Sequence, residues 1–123
     1  MPSAAAVDAA SVRLLDLNDQ PFDLWDTGHN GVRVVIFTSS DCPVSNRYAP
    51  AVRELYESFH PRGVDFYLIY VDPNEKPEAI RAHLKEFNYP CQAIRDPQHT
   101  LVAHTQATVT PEAVIFDKDR RIT

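Results

Sequence analysis

Cys42 is the residue of this sequence whose surroundings best suit it to chemistry. It follows the run Val34-Val35-Ile36-Phe37 and the polar stretch Thr38-Ser39-Ser40-Asp41, and it precedes Pro43-Val44-Ser45-Asn46. Consecutive apolar, mostly β-branched residues predict a buried strand of a parallel sheet. A helical pattern begins just after the cysteine, and Pro43 suits a first helical turn, where its missing N–H costs nothing. A thiol at such a strand-to-helix junction meets the helix's unpaired backbone N–H groups, which with the helix dipole favour thiolate over thiol. The chemistry expected is nucleophilic attack by a partly exposed cysteine of lowered pKa. The alternative at this point is a small buried Cys that happens to precede a helix.

The other candidate groups form no second centre. Cys91 lies 49 residues after Cys42, a spacing that makes neither a disulfide scaffold nor a zinc site. His29, His60, His83, His99 and His104 fall in no metal-ligand spacing and read as surface or core residues. No metal and no cofactor is implied.

The 123 residues suit one domain with a sizeable core. A net charge of −5 argues against nucleic acid, which would favour a basic face. No apolar run approaches the ~18 residues needed to span a membrane. The opening MPSAAAVDAA has neither a basic n-region nor an apolar h-region, so no signal peptide is expected within it, and the start of a mature secreted protein stays open.

The elements that must position Cys42 follow in order. Ser11 to Trp25 holds two apolar bursts around Asn18-Asp19-Gln20-Pro21 and predicts a β-hairpin. After the Val34–Phe37 strand, apolar positions at three- and four-residue steps predict one helix from Cys42 to about Phe59, kinked at Pro50. His60-Pro61-Arg62-Gly63 ends it. Val64 to Val71 predicts a central strand. Pro77 opens a helix carrying Ile80, Leu84 and Phe87 on one stripe. Cys91 to Ile94 predicts a short strand, Gln98 to Thr105 a short helix, Ala113 to Phe116 a strand, and Asp117 to Thr123 a closing hairpin. Strand and helix alternating in this way predict an α/β sandwich with right-handed parallel crossovers. Functional groups of such sheets gather at the carboxyl ends of the parallel strands, where Cys42 would lie.

With the hairpin, the VVIF strand, CPVS at a helix start and TPEAVIFD, the sequence resembles the thioredoxin superfamily over about Leu14 to Ile122. Within it, the redoxin branch of TlpA-like thiol-disulfide proteins and AhpC/TSA peroxiredoxins is most similar. The resemblance implies a central mixed, mostly parallel sheet flanked by helices, with an N-terminal β-hairpin. It puts Cys42-Pro43-Val44-Ser45 at the family's C-x-x-C site and Pro50 at its helix-kinking proline. Thr110-Pro111 then takes the place of the family's cis-proline, which faces the active thiol. Thr110 would offer backbone groups to an incoming peptide strand. The resemblance also implies one domain over residues 1–123 that lacks the family's C-terminal helix. Either a continuation or another chain is then expected to cover that sheet face.

The departures shape the functional expectation. Ser45 replaces the second cysteine, which in a dithiol enzyme attacks and releases the mixed disulfide. Ser45 could hydrogen-bond a Cys42 thiolate but not attack it. Cys91 opens its strand, leaving roughly 15 Å to the catalytic edge, against a limit of about 7 Å between disulfide-bonded Cα atoms. A buried structural thiol is expected, with resolution by Cys91 after a rearrangement, as in some peroxide-reducing relatives, as the alternative. The peroxiredoxin pattern P-x-x-x-T-x-x-C is met only by a hydroxyl, since Val35 holds the Pro position, Ser39 the Thr position and Pro111 the Arg position. Asp41, where many relatives have Trp, sets negative charge beside the thiol. The segment YVDPNEKPEAIRAHLKEFN also resembles the Sco copper chaperones, but Asn46 stands at their second Cys and His104 matches their histidine only loosely.

The expected function is therefore thiol-disulfide exchange through one cysteine. Cys42 is the nucleophile, Ser45 and Pro43 tune it, and Thr110 and Pro111 shape the substrate site. The partner would be a protein thiol or disulfide, or a small thiol such as glutathione. The alternatives are a one-Cys peroxidase passing through a Cys42 sulfenic acid and a non-catalytic thioredoxin-fold binding module. Relatives with CPxS-type sites are often bacterial and exported, which implies the periplasm, with the cytoplasm as the alternative.

Overall fold

The central strands are the most apolar segments of the chain, and they set the architecture. A computed structural model describes residues 12–25, 31–107, 111–117, 119 and 122. Strands β1 (Leu14–Leu15) and β2 (Pro21–Phe22) pair antiparallel. Strand β3 (Arg33–Thr38) runs parallel to β4 (Asp65–Tyr70), which runs parallel to β5 (Gln92–Arg95). Strand β6 (Glu112–Phe116) pairs antiparallel with β3, giving a six-stranded mixed sheet in the order β2-β1-β5-β4-β3-β6. An isolated antiparallel bridge joins Phe116 to Ile122.

All six residues of β4 are buried, as expected of an internal strand covered on both faces. Alternation along the strand divides the core in two. Tyr67 and Ile69 join Leu14, Val35, Phe37 and Leu101 on one face, whereas Phe66, Leu68 and Tyr70 join Ile36, Val52 and Ile80 on the other. Helix α3 (Pro77–Glu86) supplies Ile80 to the second face, and the short α4 (Thr100–Thr105) supplies Leu101 to the first.

The helix expected from Cys42 to Phe59 is two helices. Helix α1 (Pro43–Arg47) ends at Tyr48, and α2 (Ala49–Phe59) begins at once, with Pro50 in its first turn. Pro50 has no N–H to give Asn46, so the ladder breaks there. The Tyr48 N–H closes a tight turn on the Ser45 carbonyl at 3.1 Å, and the Val52 N–H restarts the ladder on the Tyr48 carbonyl at 2.9 Å. A 3-10 turn over His60–Arg62 then ends at Gly63, whose φ of 90° is open to glycine at little cost. Gly31, ahead of β3, packs so close to this turn that an added Cβ would lie 2.5 Å from the Gly63 carbonyl oxygen.

Arg33, a charged residue beginning a core strand, is buried and satisfied by carbonyls. Its Nε donates to Leu24 O and its Nη2 to Trp25 O, both at 3.0 Å. It thereby fastens the segment after β2 against the sheet.

Candidate functional site

Strand β3 delivers the chain to the carboxyl edge of the sheet at Thr38, and Cys42 follows as the N-cap of α1. The Cys42 N–H donates to Ser39 O at 3.2 Å, and the Asn46 N–H donates to Cys42 O at 3.0 Å. A tight turn therefore leads directly into the first helical hydrogen bond. The N–H groups of the following first turn have no acceptor within the helix, so they are available to a negative sulfur. Cys42 is partly exposed and Pro43 is exposed.

Ser45, three residues on, is only 3% exposed, and its hydroxyl has no hydrogen-bond partner. The expected bond to Cys42 is thus not formed with the thiol in this state. A buried donor without an acceptor is unusual, because it forgoes solvation without compensation. The Thr38 hydroxyl, at the end of β3, is in the same condition.

The polar loop between Thr38 and Cys42 is held from several directions. Ser39 Oγ donates to Asp41 Oδ1. Ser40 donates both its N–H, at 3.2 Å, and its hydroxyl to Glu75 Oε2, while Ser40 O accepts from Asn46 Nδ2 at 3.2 Å. Asn46 Oδ1 lies 2.6 Å from His83 Nε2, and His83 Nδ1 lies 2.6 Å from the Tyr70 hydroxyl. Burial lowers the His83 pKa against the opposing pull of the Glu75 and Glu86 carboxylates. Burial also holds the Tyr70 phenol well above its usual range.

Glu75, His83 and Tyr70 escape sequence reasoning as site residues, since each lies 28 or more positions from Cys42. One signal was available for His83. It occupies the inward stripe of α3 begun by Ile80, where a polar ring must find buried partners.

Pro111 lies within reach of the same edge. With Val44, Tyr48, Val52, Leu55 and Ala113 it lines an apolar groove of about 440 Å³ between α1, α2 and β6. Val44, Tyr48 and Leu55 are each about half exposed along it. Thr110 lies outside the described residues.

Cys91 belongs elsewhere. It precedes β5, next to the Tyr67–Gln92 register, whereas Cys42 lies beyond the Thr38–Tyr70 register. It is 5% exposed, and burial pushes its thiol up to about 12. Neither cysteine forms a disulfide. His104 stacks on Phe116 and meets Trp25 edge-on, with 6.0 Å between ring centroids in both pairs. Among the described residues no three His, Cys, Asp or Glu gather as a metal site, and no helix is long and apolar enough to cross a membrane.

Comparison with solved structures identifies the fold. A secreted Mycobacterium tuberculosis disulfide oxidoreductase homologous to E. coli DsbE superposes with a TM-score of 0.76 at 19% identity, over 96% of this chain and 84% of that one. A thioredoxin-like protein from Aeropyrum pernix gives 0.76 at 20% identity, over 92% of this chain and 78% of that one. The thioredoxin domain of a Bacteroides vulgatus thiol-disulfide oxidoreductase gives 0.77 at 18% identity, over 99% and 87%. No curated protein matches the chain in sequence. The fold is thioredoxin-like, and residues 5–123 match the AhpC/TSA family profile. The chain belongs to the AhpC/TSA family.

Proposed function

We propose that this protein carries out thiol-disulfide exchange through Cys42 alone. The observation that carries the reading is the pairing of a partly exposed N-cap cysteine with a buried, partnerless Ser45 hydroxyl one helical turn on. On ionisation of Cys42 the first-turn N–H groups face an anion, and a Ser45 hydroxyl turned toward the sulfur would gain an acceptor. Both changes favour thiolate over thiol.

The Cys42 thiolate attacks one sulfur of a substrate disulfide. A Cys42–S–S–R bond forms, the substrate S–S bond breaks, and the departing sulfur leaves as a thiolate that takes up a proton. Ser45 cannot resolve the product and Cys91 is remote, so a second, external thiolate attacks the substrate sulfur and releases Cys42. The groove between Val44 and Pro111 is the proposed seat of the substrate segment. Protein thiols and glutathione are the proposed partners. The proposed setting is extracytoplasmic, where disulfides persist; the secreted M. tuberculosis oxidoreductase of like fold is consistent with it.

The peroxidase alternative has less support. Ser39, the one hydroxyl matching the peroxide-reducing pattern, spends its proton on Asp41, and Pro111 stands in place of the arginine.

The test is incubation of the native protein with oxidised glutathione, followed by intact mass and peptide mapping. A glutathione adduct on Cys42, removed by excess glutathione and absent from Cys42→Ser, is expected. A Cys42 that forms no adduct until the chain is unfolded overturns the proposal and leaves a binding module.

A further inference from the structure

Four residues, one each from β4, α3, α1 and the loop before α1, form a chain of hydrogen bonds with only one workable direction. Ser40 O can only accept, so Asn46 must turn its Nδ2 towards it, at 3.2 Å. Asn46 Oδ1 then faces His83 Nε2 at 2.6 Å, and as an acceptor it requires a proton on that nitrogen. The neutral ring is left with a bare Nδ1, which accepts from the Tyr70 hydroxyl at 2.6 Å. Rotating the Asn46 amide would set oxygen against oxygen at Ser40 and leave the buried Tyr70 proton without an acceptor. The direction Tyr70 to His83 to Asn46 to Ser40 follows.

Glu75 closes the arrangement from the other side by accepting from the Ser40 N–H and hydroxyl. All three polar groups of Ser40 are therefore engaged. Two of its holders, Glu75 and, through Asn46, His83, belong to α3 and the loop that leads into it. Ser40 stands two residues before Cys42, inside the turn that presents the thiol.

We propose that His83 is a positioning residue for Cys42, acting through Asn46 and Ser40 to hold the turn that aims the thiol at its substrate. The proposal rests on the reading of Cys42 as the nucleophile. It adds that the reactivity of Cys42 is set by the neutral, Nε2-protonated form of a histidine it does not touch. Protonating His83 makes both nitrogens donors, so Tyr70 must accept and its own buried proton loses its partner. The groups that face or act on His83 are Tyr70 from β4, Asn46 from α1, Phe87 at the end of α3, Tyr89 before β5, and the Glu75 and Glu86 carboxylates.

The experiment measures Cys42 alkylation against pH and the rate of adduct formation with oxidised glutathione, in a Cys91→Ser background. His83→Leu removes the relay and is expected to slow Cys42 by roughly ten- to a hundredfold, the scale of a small misplacement of a reacting group. His83→Gln keeps one donor and one acceptor without titrating, and it is expected to restore the rate. Asn46→Asp cannot donate to Ser40 O and is expected to match His83→Leu, with no further loss in the double variant. If His83→Leu does not fold, Asn46→Asp and His83→Gln carry the comparison. Long-range ¹H–¹⁵N spectra of the native protein are expected to show Nε2 protonated and Nδ1 bare.

Folded His83→Leu or Asn46→Asp with the native rate and pH profile overturns the inference, as does an Nδ1-protonated ring. A native Cys42 that is inert towards both reagents overturns the functional reading itself, a distinct outcome.

Discussion

Ser39 donates its hydroxyl proton to the Asp41 carboxylate, one residue before Cys42. The bond holds the exposed carboxylate against the turn that leads into the nucleophile. A negative charge nearby opposes a second one on sulfur, so Asp41 works against the helix terminus. Asp41→Asn is expected to lower the midpoint of Cys42 alkylation by up to about half a unit, less as salt rises, because the group is exposed and screened. A pH titration of alkylation at low and high ionic strength checks the sign and the salt dependence together.

Ser45 exposes a conflict between stability and chemistry. Its buried hydroxyl lacks a partner, so Ser45→Ala is expected to stabilise the domain by about 1 kcal/mol in chemical denaturation. The same change should raise the Cys42 midpoint, since the thiolate loses a donor. A variant that loses stability and leaves the midpoint unmoved shows that the hydroxyl serves packing only.

Ser45→Cys puts a second thiol one helical turn from the first. It should convert single-cysteine exchange into dithiol exchange, so that the glutathione adduct on Cys42 no longer accumulates. Mass spectrometry over the time course distinguishes a transient adduct from a lasting one. Cys91→Ser, at the far end of the strands, is expected to leave the adduct kinetics as they are.

His83 should leave a mark on stability against pH. Its pKa is lowered in the folded state, mainly by burial, so the unfolded chain binds the proton more readily. The contribution is fully present above the unfolded histidine value of about 6.5. It declines as pH falls from there through the lower folded value. Urea denaturation at pH 7.5 and pH 5 measures this loss, and His83→Gln should show a smaller one. Equal losses in both proteins would assign the acid sensitivity to other groups.

The comparison between sequence and structure turns on how far apart the interacting residues lie. Val34 to Phe37, Val64 to Val71 and the Ile80 stripe state their environments locally, and the sheet with its covering helices follows from them. Cys42 was legible for the same reason, as a local junction of strand and helix. The break at Tyr48 was half-legible: Pro50 announces a disturbance, but a kink and a restart use the same residues. Glu75, His83 and Tyr70 reach the Cys42 turn only because β4 and α3 lie beside β3 and α1, a long-range fact with no local signature. Asp96 is similar. It reads as a turn residue, yet its fully buried carboxylate accepts from the N–H groups of Thr100 and Val102 at 2.8 and 3.0 Å and anchors the start of α4.

The interruption at Tyr48 divides responsibilities along the chain. Helix α2 is attached to the core through Val52 and Tyr56, whereas α1 is tied by Asn46 to the Ser40 loop and α3. The five residues that follow the thiol thus have a different anchorage from the eleven of α2. Robustness and reactivity are in this sense modular. Substitutions at Val52 and Tyr56 are expected to act first on stability, and those at Asn46 first on the turn that presents the thiol.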